Sequence, residues 1–284
     1  MSDKEVVDVT TEVAKEIAKD VYNDAGKPIA KPTGELIGLL PRAIKAAFAH
    51  LEKWILQREY SVLETKKLLE EKLKDTPPEL IESPEPHIAV PAMQYISYCM
   101  DNEELRDMYA NLLANSMNKV VKNGVHPGFV EIIKQLSPDE AKIIRYLRAH
   151  RRIPTIGLKI DKTNSSHVIY IKEFSNVPEL SMCENIYDSQ KYIDNLVRLG
   201  LVERSSDGTY ISNESVYEPL KNHPFIKNKY QNIEKQSAAI DNFSKIDYVK
   251  GYCELTSFGE SFCSICLETQ KETQKVIILK VQEG

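Results

Sequence analysis

Apolar residues recur at helical spacing through most of the first 120 residues of the chain. They line one face of residues 5–24, one face of a longer stretch at 42–74, and one face of 92–121, so we predict a helix in each. Between the last two lies 75–91, which contains five prolines. Proline fixes φ and lacks an N–H group, so this stretch is predicted to be an extended connector. The pattern predicts a helical module over residues 1–123.

The pattern changes at "GVHPGFVEIIKQLSPDE", where Gly124 and Pro127 favour a turn between two parts of the chain. Ser137 and Glu140 have the spacing of a capping box, which predicts a helix start there. That helix is predicted to run to about His150.

Beyond His150, alternating apolar residues indicate short strands as well as helices. We predict strands at 155–160 and 167–174, a helix at 188–200, a hairpin around an Asp-Gly turn at 201–212, an inserted and partly helical segment at 213–245, a strand at 247–255, and a helix at 256–272 whose capping box pairs Ser257 with Glu260. This order resembles a winged helix with the last strand and helix appended. The predicted fold is therefore mainly α with a smaller α+β part, a helical module at 1–123 followed by a winged-helix-like domain at 124–284.

Composition and charge exclude several broad classes. The chain has 284 residues with 42% hydrophobic and 28% charged residues, a globular mixture, and its formal net charge is −5. No long segment is basic, so general attraction to nucleic acid is absent. No apolar run is long enough to span a membrane, and the acidic start lacks the apolar core of a signal peptide. With five cysteines expected to stay reduced, we predict a cytoplasmic location.

His126 is a candidate functional residue because histidine is the commonest general acid–base group. No catalytic signature surrounds it, however, and a His-Pro pair between two helices is typical of a corner in which the imidazole binds a free backbone group. We favour the corner, or hinge, and keep catalysis or ligand binding as the alternative.

A polar stripe lies on one face of the helix predicted at 101–122. Its members fall within about 80° of arc at 100° per residue. They are Glu104, Asp107, Asn111, Asn115, Asn118 and Lys122. Asparagine is a mediocre helix former, so three on one face suggest more than a solvated surface. The stripe either faces water or binds a polar partner or another buried helix.

A basic face is predicted on the helix that follows Ser137. Its members are Lys142, Arg145, Arg148 and Arg152. Such a cluster could contact phosphates, but the helix at 188–199, which would read a nucleic-acid groove, balances acidic and basic residues. A solvated face or an acidic protein partner is therefore favoured over nucleic acid.

Two cysteines, Cys263 and Cys266, have the CxxC spacing of metal ligands. A structural zinc site needs four ligands, and no second CxxC or HxxxH motif accompanies this one. We expect both thiols to pack in the core, with no metal and no cofactor. The sequence also lacks the motifs of nucleotide hydrolases, zinc proteases and serine esterases, so we predict no catalytic residues.

Four stretches carry a family resemblance: "KPTGELIGLLPRAIKAAF", "MDNEELRDMYANLLANSMN", "VHPGFVEIIKQLSPDEAKII" and "LVRLGLVER" with "YCELTSFGESFC". Together they resemble the Abi-alpha (abortive infection alpha) family over about residues 28–268. The resemblance implies a bacterial protein connected with defence against phage. It brings no established catalytic residues.

These observations favour a non-enzymatic defence protein that binds a protein partner through the polar stripe and the basic face. The alternative is a nucleic-acid-binding regulator that uses the winged-helix-like domain, and a third candidate is a hydrolase whose site one sequence does not reveal. The long helix at 42–74 makes a homo-oligomer a further candidate.

Overall fold

The computed structural model describes residues 59–205 and 208–267. The helix predicted at 5–24 and the first part of the one at 42–74 lie outside these residues. The helices are α1 (Glu59–Leu73), α2 (Pro86–Ile96), α3 (Glu103–Ser116), α4 (Gly128–Lys134), α5 (Pro138–His150), α6 (Val177–Leu180), α7 (Ser189–Arg198), α8 (Glu218–Lys221), α9 (Pro224–Gln236) and α10 (Ser257–Cys266). The strands are β1 (Arg152–Lys162), β2 (His167–Phe174), β3 (Val202–Arg204) and β4 (Phe243–Leu255). The fold is mainly α with an antiparallel sheet, as the sequence predicts at this level.

The proline-rich stretch is only partly extended. It holds a short 3-10 helix, Pro78–Leu80, and the first residues of α2, which tolerates Pro86 in its first turn and contains Pro91 further along. Proline suits a first turn because the N–H it lacks has no partner there. The single helix predicted at 92–121 is two helices, because Asn102 starts α3 by accepting a hydrogen bond from the N–H of Leu105 at 3.0 Å.

Helix starts test the two predicted capping boxes. Around α5 the prediction is confirmed: the Ser137 hydroxyl accepts from the N–H of Glu140, and the Glu140 carboxylate accepts from the N–H of Ser137. Around α10 it is wrong by one position. Thr256 is the cap, accepting from the N–H of Gly259 at 2.9 Å. Glu260 is thereby free to bind elsewhere.

The sheet has the order β2-β1-β4-β3, and all neighbouring strands are antiparallel. The strand predicted at 247–255 is therefore not an appendage, because β4 lies in the middle of the sheet. The predicted hairpin at 201–212 is also wrong. Among its described residues only 202–204 form a strand, and this strand, β3, pairs with the end of β4, where Val202 lies opposite Leu255.

Two hydrophobic cores hold these elements together. The larger packs α1 to α5, α7 and α10 against the base of the sheet, with Tyr109, Phe129 and Phe262 among its fully buried side chains. The smaller packs the far half of the sheet against the segment predicted as an insertion, through residues such as Leu158 and Tyr217. The larger core contains residues from both sides of position 123. The predicted division into two domains at that position stays a prediction.

Within the part of the chain that the structure describes, the helices are all too short or too polar to traverse a lipid bilayer.

Candidate functional site

His126 lies at the corner before α4, on the surface. Its Nδ1 accepts a hydrogen bond from the N–H of Gly128 at 3.0 Å, and its ring packs 5.7 Å from that of Phe129 and 5.5 Å from that of Phe258. Since Nδ1 accepts, the neutral ring carries its proton on Nε2. These contacts are those expected of a structural corner. Among the described residues, no other titratable side chain forms a hydrogen bond with the imidazole.

The three asparagines of the polar stripe are buried. Asn111 Nδ2 donates to the carbonyl of Cys266 at 3.0 Å, and Asn115 Nδ2 donates to the carbonyl of Ile265 at 2.8 Å. Asn118 accepts from the N–H of Val120 at 2.9 Å. Asn111 and Asn115 therefore contact another helix of the same chain, α10, whereas Asn118 bonds within its own turn.

The charged ends of the stripe form ion pairs within the chain. Asp107 pairs with Lys72, Glu104 with Arg145, and Lys122 with Glu82. The first two pairs tie α3 to α1 and to α5, and the third ties a short 3-10 helix after α3, Lys122–Gly124, to the segment before α2.

The basic face is neutralised by carboxylates from four places in the fold. Lys142 lies 3.6 Å from Asp139, Arg145 lies 3.1 Å from Glu104, Arg148 lies 2.6 Å from Glu260, and Arg152 lies 2.8 Å from Glu254. A nucleic-acid phosphate would have to compete with these carboxylates. The ion pairs link the basic face to other elements, and its role in binding stays a prediction.

The cysteines are free thiols, and Cys263 and Cys266 pack in the larger core. Burial raises the pKa of the Cys266 thiol well above its usual value. Among the described residues no group of three or more histidine, cysteine, aspartate or glutamate side chains could hold a metal ion.

A surface that the sequence did not single out lies between α6 and α7. We call residues 180–187 the docking loop. Three of its large apolar side chains face solvent, with exposed fractions of 49% for Leu180, 83% for Met182 and 80% for Tyr187. The three lie within eight residues of one another in the sequence, and exposed apolar surface on a folded protein is one mark of an interaction site.

A buried carboxylate holds this loop in place. Asp139, at the start of α5, accepts hydrogen bonds from the N–H groups of Glu184 at 2.9 Å and Asn185 at 3.1 Å, and from the hydroxyl of Tyr192 at 2.8 Å. Burial alone would raise the pKa of Asp139, but these bonds and the charge of Lys142 outweigh it and lower the pKa below the ordinary value. Asp139 is therefore an ionised anchor.

Further contacts fix the start of the loop. Met182 has a φ of 54°, a left-handed conformation that a non-glycine residue adopts at a cost, and its carbonyl accepts from Lys142 Nζ at 3.3 Å. Just before the loop, Glu179 accepts from His223 Nε2 at 2.7 Å. The exposed side chains are thus presented by an ordered backbone, which lowers the entropic cost of binding.

An open groove of about 590 Å³ runs beside the loop. Its walls come from the start of α5 and from α7, and include Asp139, Asp188, Lys191 and Asn195. Glu184 and Asn185 of the docking loop also line this groove, so the loop and the groove adjoin. Sequence reasoning missed this surface, because apolar residues in a short loop without periodicity look the same whether they are buried or exposed.

Comparison with known proteins gives one solved structure, that of an uncharacterized protein from the hydrocarbon-degrading marine bacterium Alcanivorax borkumensis SK2. It is 16% identical, covers 48% of this chain and 90% of its own, and has a TM-score of 0.34, so the likeness supports no argument. No curated protein matches the chain. The profile of the family described as "Abortive infection alpha" matches residues 57–266, most of the chain. The chain belongs to the abortive infection alpha family.

Proposed function

We propose that this protein is a non-enzymatic component of abortive-infection defence that acts in the cytoplasm by binding a protein partner through the docking loop. The observation that carries the proposal is the exposure of Leu180, Met182 and Tyr187 on a loop anchored by a buried aspartate. Family membership supports the defence role, while the binding mechanism is inferred from this surface.

The chemistry of the loop suits recognition of a protein. Aromatic residues and methionine are enriched in the centres of protein interfaces, where a few side chains supply most of the binding energy. Burying one large apolar side chain contributes about 1.5–3 kcal/mol. Two projecting side chains, Met182 and Tyr187, would therefore act as anchors at the centre of a wider contact with an apolar patch on a partner.

Capture from phage-infected and uninfected cells tests this proposal. The tagged wild type is compared with the double variant Met182→Ser/Tyr187→Ser, after nuclease treatment to remove nucleic-acid bridges. Val168→Ser/Tyr170→Ser is the matched control, since it removes two half-exposed apolar side chains from β2 instead. We expect a protein captured by wild type and control and lost with the loop variant. A captured set that is identical for all three proteins contradicts the role of the loop.

The order of elements favours a second candidate, nucleic-acid binding by a winged-helix-like domain. After α5 come β1, β2, α6, α7, β3 and, beyond the segment at 213–245, β4, and β4 lies between β1 and β3 in the sheet. This supports the winged-helix prediction, with β2 and the segment at 213–245 as additions. In such a domain α7 would enter the groove.

The charges on α7 weigh against that candidate. Its exposed Lys191 lies 3.2 Å from Asp188, and its exposed Asp194 pairs with Arg204. A gel-shift assay at about 50 mM salt, where phosphate contacts are strongest, decides the matter. We expect no shift of DNA or RNA. A shift that weakens steeply with added salt would favour the second candidate over the first.

A further inference from the structure

The docking loop differs from the rest of the described structure in the exposure of its methionine. Met93, Met108 and Met117 are buried in the larger core, and Met100 is half-buried against it. Met182 alone among the described methionines is mostly exposed. Oxidation of a thioether requires that the oxidant reach the sulfur, so access differs sharply between Met182 and the other four.

The thiols, which usually react with peroxides first, are protected. Cysteine reacts as the thiolate, and burial suppresses that form. Cys183, Cys253, Cys263 and Cys266 are buried, and Cys99 is half-buried. Burial, helped by the nearby Asp139 carboxylate, raises the pKa of the Cys183 thiol to about 12, and burial raises that of Cys253 to about 12. The cysteine thiols of the described chain should therefore compete little with Met182 for peroxide.

We propose that Met182 is a site of reversible sulfoxidation by peroxides, and that the modification switches off binding by the docking loop. The second half rests on the proposed function. The thioether sulfur attacks the OH oxygen of the peroxide, and the O–O bond breaks as the S–O bond forms. The proton on the attacked oxygen passes to the departing oxygen, which leaves as water or an alcohol. Sulfur is oxidised by two electrons and the peroxide is reduced by two.

The surroundings of Met182 let the modification change the surface without disturbing the fold. Its side chain faces solvent, whereas its backbone carbonyl is held by Lys142 and the loop beyond it by Asp139. A sulfoxide is polar, so it removes the apolar projection from the loop. The anchoring bonds use no atom of the Met182 side chain.

Peptide mass mapping after treatment of the full chain with hydrogen peroxide tests the site. We expect Met182 to gain one oxygen on the order of tenfold faster than Met100, with Cys99 unmodified at that time, because susceptibility follows exposure and thiolate content. An unchanged thermal midpoint shows that the chain stays folded. Oxidation of Met100 or Cys99 at the same rate as Met182, or earlier, overturns the proposal.

Capture before and after peroxide tests the switch. Oxidised wild type should retain about tenfold less of the loop-dependent partner, the loss expected when one interface anchor is weakened. Methionine sulfoxide reductase should restore it. For Met182→Leu, the amount of partner captured after peroxide should equal the amount that the same variant captures before peroxide, whatever that amount is. Equal loss in Met182→Leu overturns the switch. If untreated wild type captures no loop-dependent partner, the proposed function and the switch both fail, while the mapped site is judged by the mass data alone.

Discussion

The side-chain amide of Asn115 donates to the carbonyl of Ile265, 150 residues further along the chain, over 2.8 Å. Together with Asn111 and Cys266, this pair satisfies carbonyls in the last turn of α10, which have no partner within their own helix. Helix ends are usually capped by residues nearby in sequence, so this cap also sets the position of α10 on α3. Its loss should therefore affect folding of the whole described unit.

We predict that Asn115→Ala lowers the free energy of unfolding by about 1–3 kcal/mol, because a buried carbonyl loses its donor. Urea denaturation measures the change. Gln94→Ala, on the exposed face of α2, is the control and should stay close to wild type. Equal stability of the two variants would show that the Asn115 bond is dispensable.

A second prediction concerns the contact between α10 and the loop before β3. A Cβ atom at Gly259 would overlap the carbonyl oxygen of Leu201, which is backbone and cannot turn aside. Gly259→Ala should therefore cost about 3 kcal/mol or more. A Cβ at Gly124 would lie 3.5 Å from Ile265 Cδ1, an ordinary contact, so Gly124→Ala should change stability by less than about 0.5 kcal/mol. Thermal melts of both variants check this order, and the reverse order would refute it.

The anchor of the docking loop predicts a dependence of stability on pH. The folded pKa of Asp139 is lower than its unfolded value of about 3.9, so its contribution is present above that pH and is lost as pH falls through the folded pKa. The stability difference between wild type and Asp139→Asn should therefore be largest near neutral pH and shrink below about pH 4. Urea denaturation across that range measures it. A difference that is constant with pH would mean that Asp139 does not act as an ionised acceptor.

The ion pairs of the basic face should contribute little individually. Arg145 is partly exposed, lies 3.1 Å from Glu104 and 4.0 Å from Asp107, and is screened by solvent. Arg145→Ala should cost less than about 1 kcal/mol, and the cost should fall in high salt. Chemical denaturation at low and high ionic strength checks both statements; a loss of several kcal/mol would contradict them.

Local sequence patterns predicted the positions of helices and strands better than they predicted which elements pair with each other. Strand β2 begins and ends where alternation places it, at 167 and 174, and the Ser137–Glu140 capping box is present because its two bonds involve only neighbouring residues. The partner of β3 was missed, since the competing strand β4 lies some fifty residues later along the chain.

The candidate site depended on contacts that periodicity does not contain. Helical spacing placed Asn111, Asn115 and Asn118 on one face, but only the folded chain shows that the first two donate to carbonyls of α10. The sequence identified the basic residues of this face but not their carboxylate partners. Glu104, Glu254 and Glu260 come from separate elements that lie beside the face only in the folded chain. The exposure of Met182 follows from the position of a loop on the completed core, which local sequence does not encode.

Phage plating on cells that express the variants tests the central claim most directly. Met182→Ser/Tyr187→Ser should melt at the wild-type temperature, because both side chains face solvent, yet lose protection against phage. The matched control Val168→Ser/Tyr170→Ser should keep both stability and protection. A folded loop variant that protects as well as wild type would contradict the account.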